Sequence, residues 1–231
     1  MDDTPTDTAA DTPARDAVLA RALRFGLTTA ADVHAHVCPG VSLNAVRKAL
    51  AKLVEAGWLA AHPLPARDKY YVPGKAAVLE LGLDPRKSGA FGPQALPTRL
   101  GILLYCSRHP VTKPTADEFK RQFTDLCRPG LPATNYVIEP GERFRVGWLH
   151  VDHGAEPPKV VAKLRGVIAD RRALPAFRAA MLAGEFFVAV LVPTDGRGDH
   201  LRRAYARHAL RLIEVTFVTV PELLPLLVTE G

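Results

Sequence analysis

The 231-residue sequence predicts an α+β protein of two domains. Three observations carry that prediction. Residues 42–59 join an apolar stripe of helical period to a glycine stop and an apolar strand start. Residues 186–192, Phe-Phe-Val-Ala-Val-Leu-Val, form an apolar run the length of one buried strand. Between the two patterned regions, Pro85, Gly89, Gly92, Pro93 and Pro97 mark residues 84–98 as a linker. The expected organisation is a disordered acidic tail over 1–13, a first domain over 14–83, the linker, and a second domain over 99–231.

The first domain reads as three helices and a hairpin. Residues 14–25 form an amphipathic helix on Val18, Leu19, Leu23 and Phe25, stopped by Gly26. Thr28 or Thr29 caps a second helix through residue 37, and Pro39-Gly40 turns the chain. Ser42 caps a third helix whose buried stripe is Leu43, Val46, Leu50, Leu53 and Val54. Its other face offers Asn44, Arg47, Lys48 and Lys52, and Gly57 ends it. Residues 59–72 read as two short strands around a loop that carries Arg67 and Lys69.

This pattern over residues 14–83 resembles the winged helix-turn-helix superfamily. The resemblance implies that the third helix enters a major groove. Asn44, Arg47 and Lys48 would then lie nearest base edges or phosphates, with Ser42 at the cap and Lys52 on the backbone. Arg67 and Lys69 would reach out from the wing. The same fold also serves as a protein-docking surface.

The second domain opens on a buried helix at 99–107 and a second helix at 115–123. Strands follow at 135–139 and 143–152, joined by Pro140-Gly141-Glu142. A helix on Val160, Val161, Leu164, Val167 and Ile168 leads to a shorter one at 175–182 and then to the buried strand. Residues 193–199 read as a polar turn before a helix at 200–210; a strand at 212–220 and a short helix at 221–227 close the chain. That order predicts an α/β sandwich around a mixed sheet.

The order resembles the core of the restriction-endonuclease-like superfamily, the PD-(D/E)XK nucleases. The resemblance implies carboxylates that hold Mg²⁺ and a lysine that activates water. The matching positions are Glu139 after the first strand and Asp152 at the end of the second. The sequence departs from the family pattern where His153-Gly154 follows Asp152. The nearest lysines, Lys159 and Lys163, lie on the next helix, so the site reads as degenerate, with Glu139, Asp152 and Lys163 the set a nuclease would use. Val151-Asp152-His153-Gly154 followed by Lys163-Leu164 also resembles the replication-relaxation family of plasmids and mobile elements, with His150 where that family commonly has an acid. This resemblance implies a DNA-binding accessory protein of plasmid replication, relaxation or conjugative transfer.

Composition narrows the classes. The formal net charge is +6, and the four acids of residues 1–13 face no Lys or Arg there, so the remainder is more basic still. A basic chain suits a polyanion, because neutralised phosphates release counterions. No apolar run approaches the ~20 residues of a membrane span, and the N-terminus lacks a secretory pattern, so a cytoplasmic protein without a membrane partner is expected. Cys38, Cys106 and Cys127 are too widely spaced for a zinc site, so no cofactor is expected outside the Mg²⁺ of the nuclease alternative. His34 and His36 face different sides of one helix. His150 and His153 flank Asp152 as a strand and a loop histidine. Arg202, Arg203, Arg207 and Arg211 crowd one helix, a second phosphate patch or a solvated face.

The sequence-based expectation is therefore a non-catalytic binder of double-stranded DNA, possible as a homodimer that docks replication or transfer proteins. The alternatives are a Mg²⁺-dependent endonuclease and a protein-docking module.

Overall fold

The structure is a computed structural model that describes residues 11–65, 68–207 and 213–227, with side chains from residue 14. It is a mixed α+β protein that divides into two compact units, Met1–Gly92 and Pro93–Gly231.

In the first unit, helix α1 spans Asp11–Phe25, so the last three residues of the expected tail are helical. Pro13 reads as a boundary but sits in the first turn, where its missing N–H costs nothing. The remainder of the tail lies outside the described residues. Strand β1, Thr28–Thr29, was not expected; it pairs antiparallel with β3, Lys69–Pro73. Thr29 also caps α2, Ala30–His36, by accepting from the Asp32 amide at 3.1 Å. Asp32 is buried and takes two bonds from Arg21, each of 2.5 Å, and one from the Thr28 hydroxyl at 2.8 Å. These bonds lock α1, β1 and α2 together.

Helix α3, Leu43–Glu55, starts as its sequence predicts, with Ser42 Oγ accepting from the Ala45 amide at 3.2 Å. It ends with the Trp58 amide bonded to the Leu53 carbonyl and the Gly57 amide to that of Val54. This is a Schellman cap, and the φ of +76° at Gly57 is what the cap requires. Strand β2, Leu59–Pro63, pairs antiparallel with β3, giving a three-stranded sheet in the order β1-β3-β2. Val18, Leu19, Val33, Val46, Leu50, Leu59 and Tyr71 meet in the core between helices and sheet.

Helix α4, Lys75–Glu80, is too short for a periodic signal and was missed. Residues expected as a plain linker are largely structured. Pro85–Ser88 is a 3-10 turn capped by Asp84, and the Phe91 amide donates to the Tyr70 hydroxyl at 2.9 Å. Ala95–Thr98 already belong to the next helix, α5.

The second unit is built on a four-stranded sheet in the order β4-β5-β6-β7. Strand β4, Tyr136–Glu139, runs antiparallel to β5, Arg145–Val151. Strands β6, Phe186–Val192, and β7, Glu214–Thr219, run parallel to β5. Helix α5, Ala95–Arg108, packs on the sheet face of Val151, close enough at Gly101 that an added Cβ would lie 3.1 Å from that side chain. The opposite face is covered by α7, Pro157–Arg172, α8, Pro175–Leu182, and α9, Asp195–Ala206. Helix α6, Ala116–Gln122, starts on a Thr115–Glu118 capping box and stacks Phe119 on Tyr136 at 4.1 Å. A 3-10 turn, Pro221–Leu223, and a last helical turn, α10 at Leu224–Leu227, close the described chain. The sheet is mixed, as the element order predicts.

One expectation is corrected here. Residues 195–199 are the opening of α9, not a turn, because the Thr194 hydroxyl accepts from the Arg197 amide at 3.2 Å and caps the helix. Arg211 lies outside the described residues.

Candidate nucleic-acid interface

The packing of α3 decides which side chains face out. Val46 and Leu50 are buried, and Leu43, Leu53 and Val54 are half-buried. At 100° per residue, Arg47, Asn44, Lys48 and Lys52 fall within an arc of roughly 140° on the opposite side. All four are exposed, and Ala51 and Glu55 complete the arc. Arg47, Lys48 and Lys52 make no ion pair among the described residues. Three cations without an ion pair among the described residues share one helix face with an amide and the single acid Glu55.

The flanks are anchored. Arg15 on α1 lies over the Trp58 ring at 4.2 Å, just past the end of α3. Burial first, and then the Asp68 carboxylate, push the Tyr71 phenol above its usual value, while the charge of Arg47 opposes them. Arg47 is thus felt at β3. Lys69 is exposed at the start of β3, beside Asp68, whose carboxylate accepts the Lys69 amide at 2.9 Å. Arg67 lies outside the described residues.

The nuclease set is not assembled. Glu139 pairs in register with Arg145 at one end of β5, and Asp152 follows the other end. Seven residues of strand at ~3.3 Å each put them roughly 23 Å apart. Glu139 is bound instead to Arg145 at 3.0 Å, which also bonds Glu214. Asp152 has no exposed surface, and Arg197 takes both of its oxygens, at 2.7 and 3.1 Å. The charge of Lys163 is felt at His150 and His153, where after burial it lowers the pKa of both. A single carboxylate already paired with Arg197 does not fit Mg²⁺, which needs open oxygen ligands. Among the described residues no three of His, Cys, Asp and Glu converge as a metal would require.

The histidines have structural placements. His150 is buried and stacks on Trp148 with ring centroids 5.6 Å apart, and burial brings its pKa down to about 4. His153 Nε2 lies 3.0 Å from the Thr98 hydroxyl. His36 Nε2 lies 4.0 Å from Asp32. Arg202 pairs with Asp199 and lies 5.9 Å over the Phe217 ring, so it is partly committed within its own unit.

Arg197 is the residue sequence reasoning missed. Its sequence signal was the Thr194 cap three residues upstream, obscured by Gly196 and Gly198. Comparison of the chain with protein-family models, curated proteins and solved structures finds no match. Among the described residues, no helix is long and apolar enough to cross a membrane.

Proposed function

We propose that the first unit is a winged helix-turn-helix that binds double-stranded DNA, with α3 as the helix that enters the major groove. The observation that carries this reading is the basic face of α3. Its stripe of Val46 and Leu50 fixes the helix in the core and leaves Asn44, Arg47, Lys48 and Lys52 on the exposed side. Amide and guanidinium groups suit base edges, and the lysines suit phosphates. The β2–β3 hairpin with Lys69 supplies the wing. The helix–strand order of the first unit and its β1-β3-β2 sheet support the assignment.

The second unit serves as a non-catalytic scaffold for self-association or for docking replication or transfer proteins. Its strand–helix order supports a likeness to the nuclease core, and the pairing of Asp152 with Arg197 supports the degenerate reading of that site. The resemblance of Val151-Asp152-His153-Gly154 and Lys163-Leu164 to the replication-relaxation family is what suggests an accessory role in plasmid replication, relaxation or transfer.

The test is retention on duplex DNA of the full chain and of a variant carrying Arg47→Ala and Lys48→Ala. Both residues are exposed, so the variant keeps its fold and its thermal midpoint. Binding is expected to weaken by at least ~10-fold, with a shallower dependence on salt. Unchanged retention in the variant overturns the assignment of α3 and moves the function to protein docking.

A further inference from the structure

The side of α3 next to its basic arc borders a groove that DNA binding does not explain. It is a cavity of about 250 Å³ between α1 and α3. The buried Val46 and Leu50 line it together with Ala14, Val41, Ala45 and Ala49. Ala14, Val41, Ala45 and Ala49 are all exposed, so an apolar surface stands open to solvent. An apolar recess is a place where a ligand gains by leaving water.

The charge at the rim fixes the class of ligand. Among the described residues, Arg15 and Lys52 are the charged residues in the lining, and both are cationic. Arg15 gives its Nε to Asp16 at 3.0 Å, whereas Lys52 makes no ion pair among the described residues. The volume is just below the ~300–1,000 Å³ of sites for drug-sized molecules. We propose that this groove binds a small aromatic or branched carboxylate, with its apolar body on Ala45, Ala49 and Leu50 and its anion at Lys52 and Arg15. The site lies within the first unit and does not depend on the duplex reading.

Cys38 also lines the groove and is half-buried, which gives a direct readout. The full chain is titrated calorimetrically with naphthoate and with its uncharged amide, naphthamide. In parallel, alkylation of each cysteine by iodoacetamide is followed by peptide mass mapping, with Cys106 and Cys127 as internal references. Naphthoate is expected to bind about fivefold more tightly than the amide, the scale of partly exposed ion pairs. At ten times its dissociation constant it should slow alkylation of Cys38 about tenfold by mass action and leave the other two cysteines unchanged. Lys52→Gln should remove the preference for the acid, and Ala49→Trp, which fills the groove from an exposed position, should abolish binding. Absence of saturable binding overturns the proposal. So does equal affinity for the amide, binding that leaves Cys38 unprotected, or binding that survives Ala49→Trp.

Discussion

Asp152 shows how a single partner redirects a residue. Desolvating a carboxylate completely is tolerable only if its charge is matched, and Arg197 matches it with two hydrogen bonds. Removing one partner leaves the other charge buried or nearly so. Asp152→Ala is expected to cost about 3–5 kcal/mol in urea unfolding. A loss below ~1 kcal/mol would mean that the pair is not buried in solution. His150 gives a second prediction at this scale. Its ordinary value of 6.5 falls to about 4 in the folded chain, chiefly through burial. Above 6.5 neither state is protonated there; between 6.5 and about 4 the unfolded chain takes up a proton that the folded chain refuses. Stability should therefore fall by about 3 kcal/mol as pH drops through that window. His150→Gln should flatten that part of the profile measured by unfolding midpoint; an unchanged profile would place the dependence elsewhere. Asp152 was legible in the sequence as a special acid, yet its partner was not, because a sequence does not show which arginine a fold will bring across from another helix.

At the scale of elements, the end of α3 is a tight joint. An added Cβ at Gly74 would lie 2.1 Å from the Gly57 carbonyl, which accepts the Ala76 amide at 3.0 Å. Gly74→Ala must push α4 away from the end of α3, and a loss of about 1–3 kcal/mol is expected by thermal unfolding. Gly40→Ala, with nothing near its Cβ, is the control and should stay within ~0.5 kcal/mol. A harmless Gly74→Ala would show that the joint is looser than described. The strongly patterned elements are readable: α3 follows from its apolar stripe, Ser42 cap and Gly57 stop, and β6 from its apolar run. The failures have physical causes. Strand β1 is two residues long and α4 six, too short for a period to register. The glycines of Asp195–Asp199 suggest a turn, but the Thr194 cap and the burial of Gly198 and Leu201 hold them in a helix. Residues 84–91 have a linker's composition, yet Phe91 stacks on Tyr70 with centroids 5.8 Å apart.

For the whole molecule, the distribution of charge links fold to function. The sequence carries 30 Lys and Arg against 24 Asp and Glu, with four of those acids in residues 1–13. Many cations of the second unit are spent internally, as with Arg145, Arg171 and Arg197. Those of α3 make no ion pair among the described residues; residues 1–92 carry 11 Lys and Arg against 10 Asp and Glu, and residues 93–231 carry 19 against 14, so the basic character of the first unit is local to that helix face and not a matter of its net charge. The most direct measurement is the affinity of the full chain for mixed duplex fragments across a salt series, with and without Mg²⁺, scored for both shift and cleavage. The account predicts a linear fall of log affinity with log salt, with a slope of about −3 or steeper from the three lysine and arginine positions of α3. It also predicts intact DNA in both conditions. Cleavage that requires Mg²⁺, or no binding even at low salt, would contradict it.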